Sequence, residues 1–116
     1  MAVYLVRGSH ASLYEYNTSL ALNRLRVKYI FQYAPYGHYG RRGELYIDFL
    51  LFLPRPTALE IFGEHWHIGQ LGADDQLRLH RIKALLGIPP YVFWGNEVIT
   101  EQKALDTCRK KIGIAM

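Results

Sequence analysis

Two apolar segments, each broken by a single acid, set the tightest limit on what this chain can become. Residues 46–53 read Tyr-Ile-Asp-Phe-Leu-Leu-Phe-Leu, and after Pro54-Arg55-Pro56-Thr57 the chain resumes as Ala-Leu-Glu-Ile-Phe-Gly-Glu-His-Trp-His, ending at His67. Short β-branched and aromatic runs on either side of a proline break predict a β-hairpin. It would carry Asp48 inside its first strand and Glu60 inside its second. A carboxylate among apolar neighbours is costly to bury unless an ion, a cationic side chain or hydrogen bonds compensate it. Two of them on adjacent strands point to a divalent-metal site.

Whether the two acids can share one ion depends on register, because a slip of one residue moves every side chain of a strand to the opposite face. A four-residue connection, Pro54 to Thr57, would pair Leu53 with Ala58 and send Asp48 and Glu60 to opposite faces. A three-residue connection pairs Leu53 with Thr57 and Asp48 with Phe62, which makes Glu60 a same-face diagonal neighbour of Asp48. An odd-length connection, or a bulge of equal effect, is therefore expected.

The rest of the chain supplies the frame. Ser12-Leu-Tyr-Glu15 has capping-box spacing and opens a helix expected from about Leu13 to Leu25, with Leu13, Tyr16, Leu20 and Ala21 on its buried side. Val27 to Tyr33 reads as a strand. The glycine-rich stretch 34–43 reads as a loop. In it Arg41 and Arg42 stand beside Tyr36 and Tyr39, either as phosphate and base contacts or as an ordinary solvated turn. After the hairpin, Asp74 or Asp75 can cap a helix running to about Leu86 and stopped by Gly87, with Leu77, Ile82, Leu85 and Leu86 buried. Arg78 and Arg81 on that helix could reach phosphates or simply solvate a face. Residues 88–94 read as a short strand entered through prolines, which favour an edge or a strand beginning. Thr100 caps a last helix, Glu101 to about Ile112.

Composition narrows the classes. With 116 residues, half of them hydrophobic, the chain is expected to form one globular domain, residues 1–116. No apolar run approaches the roughly 20 residues of a spanning helix. The lone Cys108 permits no internal disulfide, favours the cytoplasm, and is expected to be buried and inert. A net charge of +4 allows a polyanionic partner. His65 and His67 with Glu64 suggest zinc only weakly, since no third spaced ligand accompanies them.

Glu15 in the first helix, Ile47-Asp-Phe49, Leu59-Glu-Ile61, Gly63-Glu-His-Trp-His67, Asp75-x-x-Arg78 and Leu86-Gly87 leading into Val92-Phe-Trp94 follow one another over about Ser12 to Val98. In this order and spacing they resemble the PD-(D/E)XK nuclease superfamily, and within it the very short patch repair endonucleases and related small endonuclease-like proteins of phages and bacteria. The resemblance implies a restriction-endonuclease-like three-layer α/β domain, order α-β-β-β-α-β-α around a small mixed sheet. It also implies metal-dependent hydrolysis of DNA phosphodiester bonds. Mg²⁺, or Mn²⁺ in its place, would be held by Asp48 and Glu60 with support from Glu15, and His67 would orient the attacking water or relay its proton. Double-stranded DNA, including distorted or branched duplexes, would be the substrate. So short a domain would read shape or act as a homodimer.

One position departs from the pattern. Where the superfamily carries Lys or Gln, one residue after the second acid, this chain has Phe62. Three explanations stand open. Arg78 or Lys83 supplies the missing cation; His67 and His65 take over; or the protein is a catalytically inactive nuclease fold that binds nucleic acid or serves as a structural subunit of a larger assembly such as a virion.

Overall fold

The computed structural model describes residues 2–37, 45–63 and 72–114. It opens with a short hairpin, β1 (Tyr4–Val6) and β2 (Ser9–Ala11), turned through Arg7 and Gly8, whose φ values of 49° and 83° are both left-handed. Helix α1 (Leu13–Arg24) and strands β3 (Tyr29–Tyr33), β4 (Ile47–Leu53) and β5 (Arg55–Phe62) follow. Then come α2 (Ala73–Leu86), β6 (Tyr91–Trp94), a 3₁₀ turn at Gly95–Glu97 and α3 (Glu101–Thr107), which widens into a π turn over Cys108–Ile112. The expected order lacked the leading hairpin. Its three-residue strands are too short to show a period, and only Val6 of the pair enters the main core.

The sheet is mixed and four-stranded, ordered β3-β4-β5-β6, with β6 parallel to β5 and the other pairs antiparallel. Alternate side chains of a strand face opposite ways, and both faces of the central strands are covered. Phe49, Leu51, Leu59 and Phe93 pack with Ala21 and Leu22 of α1 and Ala104 and Leu105 of α3. On the other face Leu50 and Ala58 pack with Ile82 of α2. The chain is thus an α/β domain with helices on both sides of a mixed sheet. Among the described residues no helix is long and apolar enough to cross a membrane.

Three expectations about the helices need correction. The side of α1 that is buried carries Asn17, Thr18, Ser19, Ala21 and Leu22, while Leu13, Tyr16 and Leu20 are only half-buried. Small polar side chains can lie there because each is satisfied locally or by backbone: Asn17 Nδ2 donates to the Val98 carbonyl at 3.0 Å and Thr18 Oγ1 to the Tyr14 carbonyl at 2.8 Å. Helix α2 starts one residue before its aspartates, with Gly72 at the N-cap and Asp74 and Asp75 in the first turn. Of its expected apolar side only Ile82 is fully buried. Leu77 and Leu85 are 60% and 40% exposed, because the face toward the sheet runs through Arg78, Ile82 and Leu86 instead. Cys108 is buried, and burial pushes its thiol up to about 12.

Candidate functional site

The connection between β4 and β5 is a single residue. Leu53 pairs with Arg55 across Pro54, and the register continues through Phe52 with Pro56 to Phe49 with Leu59. The expected odd-length connection is present, but it is shorter by two residues than the one from Pro54 to Pro56. Pro56 fits inside the strand because the facing Phe52 turns its own N–H the other way, to the Lys28 carbonyl at 2.9 Å. The shorter link sets Asp48 directly across from Glu60 rather than diagonal to it. Both acids therefore share the α2 face of the sheet.

At this point the two strands part. The β4–β5 ladder ends at Phe49 and Leu59, while Ile47 continues to pair with Tyr33 and Phe62 with Trp94. The acids replace the missing backbone bonds: the Asp48 N–H donates to Glu60 Oε2 at 2.8 Å and the Ile61 N–H to Asp48 Oδ2 at 2.9 Å. Across β4 on the other side, Gln32 has a left-handed φ of 53° and is skipped by the β3–β4 pairing. A break in an edge strand beside a cluster of polar groups is where sheets commonly re-aim side chains.

Arg78, one turn into α2, supplies the positive charge. Its Nε donates to Glu60 Oε1 at 2.6 Å, its Nη2 stands 3.6 Å from Asp48 Oδ1, and Nη2 also donates to the Tyr46 carbonyl. The side chain of Glu60 is 1% exposed and that of Asp48 22%. Burial pushes Glu60 up from 4.5 to about 7, reinforced by the charge of Asp48 and opposed by Arg78 and the Asp48 N–H. Burial likewise pushes Asp48 up from 3.8 to about 6, against the Ile61 N–H and Arg78, with the charge of Glu15 adding to the rise. For Arg78 desolvation works against its charge, but Glu60 and then Asp48 outweigh it and hold the guanidinium above its ordinary value.

Glu15 forms the cap that the sequence predicts and also stands at the cleft. Its Oε1 accepts the Ser12 N–H at 2.9 Å while Ser12 Oγ accepts the Glu15 N–H at 3.1 Å, a complete capping box. It also borders, with Asp48, Glu60, Asp75 and Arg78, a cleft of about 470 Å³. The same cleft is walled by Tyr14, Phe62 and Gly63. Phe62, at the position where a lysine was expected, is 7% exposed and packs on Trp94 with ring centroids 6.0 Å apart. Arg81 is exposed on α2, as is Lys83. Arg41, Arg42, His65 and His67 lie outside the described residues.

Tyr14, against which Gly63 is set, and Gly95, set against the Gly63 backbone, were missed by sequence reasoning. A Cβ on Gly63 would come within 2.7 Å of two ring carbons of Tyr14, and a Cβ on Gly95 would run into the Gly63 carbonyl. Gly63 thus marks a close approach of backbone to the Tyr14 ring at the cleft, and Gly95 a close approach of backbone to backbone behind it. The doublet of acids was legible; the third dimension that brings Tyr14 and Asp75 beside it was not.

The donor set suits a hard divalent ion. Its acidic donors are all carboxylates, Asp48 and Glu60 at facing strand positions and Glu15 and Asp75 elsewhere on the cleft wall. Among the described residues no three of His, Cys, Asp or Glu stand close enough to form a closed metal cage. Such an ion would be held by one or two carboxylates, with water and substrate completing the shell, which is the usual manner of Mg²⁺. Comparison with family models, with curated proteins and with solved structures finds no match to this chain.

Proposed function

We propose that this protein is a metal-dependent endonuclease of the PD-(D/E)XK type, hydrolysing phosphodiester bonds of double-stranded DNA at the cleft between α1, α2 and the parted ends of β4 and β5. The observation that carries this reading is the direct opposition of Asp48 and Glu60 where the strands separate, with both carboxylates on the cleft side and Glu15 at its rim. Mg²⁺, or Mn²⁺ in its place, bound by Asp48 and Glu60 would supply Lewis-acid activation of the phosphate and of the attacking water.

The chain's own groups do the rest. The cross-strand bonds from the Asp48 and Ile61 amides fix the two carboxylates, so the carboxylates themselves need little reorganisation when a cation enters. Glu15, held by its capping box, adds a third negative charge at a fixed position. Phe62, buried against Trp94, gives the cleft an apolar wall. The proton-relay part falls to His67 in this proposal, on the strength of the resemblance.

Plasmid nicking with Mg²⁺ or Mn²⁺ tests the reading. Wild type should cleave plasmid, mismatched or branched DNA, and Asp48→Ala should not. Phe62 favours a second reading, a catalytically silent nuclease fold that binds nucleic acid or builds a larger assembly, because an apolar ring can neither transfer a proton nor contact phosphate. Absence of metal-dependent cleavage on all three DNAs would select it.

A further inference from the structure

Of the four carboxylate oxygens of Asp48 and Glu60, two accept backbone N–H groups: Asp48 Oδ2 from Ile61 and Glu60 Oε2 from Asp48. The other two, Asp48 Oδ1 and Glu60 Oε1, are the ones that the Arg78 guanidinium covers, at 3.6 and 2.6 Å. A divalent ion entering the acid pair finds most lone pairs on the oxygens not already tied to amides, and these are the same two. Guanidinium and ion are therefore rivals for one place.

The charge around them shows why the rivalry has a use. Among the described residues that border the cleft, Glu15, Asp48, Glu60 and Asp75 are acidic and Arg78 is basic. A phosphodiester would be repelled by so acidic a cleft until more positive charge arrived. The Arg78 side chain is 32% exposed, springs from α2 and already lines the cleft. A guanidinium presents a planar fork that matches two phosphate oxygens, which a carboxylate-bound ion alone does not.

Building on the nuclease reading, we propose that Arg78 is an exchangeable cation: it covers Glu60 Oε1 and Asp48 Oδ1 in the free protein, yields them to the divalent ion, and then binds the substrate phosphate. Binding is thereby ordered, with the ion first and DNA second. Arg78 would be a phosphate-contacting residue only in the ion-loaded protein, and a lock on the acid pair before that.

The test measures two affinities that a merely structural arginine would move together. Calorimetric titration with Mn²⁺ should show Arg78→Gln binding the ion about 10-fold more tightly than wild type, a change of about 1.4 kcal/mol. Duplex DNA binding in Ca²⁺, followed by fluorescence anisotropy, should weaken about 10-fold in the same variant. Arg78→Lys keeps the charge and guards against a folding failure of the Gln variant; a single ammonium cannot cover both oxygens, so it too should bind Mn²⁺ more tightly than wild type and DNA more weakly. Mn²⁺ uptake equal in wild type and both variants, or DNA binding unchanged by either, overturns the exchange and leaves the nuclease reading standing. No Mn²⁺ uptake by any of the three proteins overturns both.

Discussion

Asp48 and Glu60 each hold the backbone of the other's strand, the Asp48 N–H on Glu60 Oε2 at 2.8 Å and the Ile61 N–H on Asp48 Oδ2 at 2.9 Å. Each acid is therefore a structural acceptor as well as a candidate ligand, and the two roles separate by substitution. Asn can still accept the Ile61 N–H but carries no charge; Ala leaves that amide without its acceptor. Asp48→Asn should retain stability to within about 1 kcal/mol and lose cleavage, whereas Asp48→Ala should lose cleavage and about 1–3 kcal/mol besides. Urea denaturation beside the nicking assay checks both.

The raised proton affinities of the two acids set a pH dependence whose sign is opposite to that of an ordinary salt-bridged carboxylate. Asp48 rises from 3.8 to about 6 and Glu60 from 4.5 to about 7, so the folded protein binds more protons than the unfolded chain between about pH 4 and pH 7. Stability from this pair is greatest at the acid end of that window and is lost as pH rises through it. Each tenfold change in proton affinity corresponds to about 1.4 kcal/mol, enough for thermal melts to resolve. Asp48→Asn should flatten the slope. Mn²⁺ should raise Tm more at about pH 8 than at about pH 5, because an ion competes with protons for the same oxygens.

The elements that could be read in advance are those whose signal is local. The capping box at Ser12 and Glu15, the stop at Gly87 with its left-handed φ of 82°, and the hairpin with one acid per strand all rest on residues a few positions apart. The same-face condition for Asp48 and Glu60 could be stated as a parity rule, but the length of the turn could not: a one-residue link at Pro54 depends on Phe52 bonding outward to Lys28, a contact between strands. Arg78 shows the same limit. Its spacing from Asp75 is visible in the chain, yet whether it meets DNA or the acid pair depends on which side of α2 faces the sheet, and an apolar count of Leu77 and Leu85 picks the wrong side. Gln32, left-handed beside Asp48 without being glycine, carries no sequence signal at all.

Capping and site chemistry at the start of α1 can be told apart. Ser12→Ala removes the hydroxyl that accepts the Glu15 N–H and should cost about 1 kcal/mol with little effect on ion binding. Glu15→Gln keeps an oxygen for the Ser12 N–H, as glutamine does in capping boxes, but removes the charge that faces Asp48. It should leave stability near wild type and weaken Mn²⁺ binding severalfold. A Mn²⁺ affinity unchanged in Glu15→Gln would confine Glu15 to its capping part.

Phe62 is expected to act by packing alone. It is 7% exposed and rests on Trp94, so Phe62→Leu should cost about 1–2 kcal/mol while leaving the cleavage rate near that of wild type. A large drop in rate without a matching loss of stability would show that the ring does more than fill space.

Gly63 at the cleft and Gly95 behind it should respond differently to the same added methyl group. At Gly95 the new Cβ would strike the Gly63 carbonyl and lie 3.1 Å from Gly63 Cα, backbone that cannot turn aside. The ends of β5 and β6 must then move apart, three residues beyond Glu60, and Gly95→Ala should cost about 1–3 kcal/mol and weaken Mn²⁺ binding with it. At Gly63 the obstacle is the Tyr14 ring, 2.7 Å away, which a rotation about its side-chain bonds can withdraw. Truncating that ring should relieve the clash: a double-mutant cycle of Gly63→Ala with Tyr14→Ala should show a coupling of about 1 kcal/mol. Tyr14→Ala should give Gly95→Ala no comparable relief, since the atoms in its way belong to Gly63. Equal coupling in the two cycles would mean that the rim yields as one unit, with Tyr14 rather than the backbone setting its position.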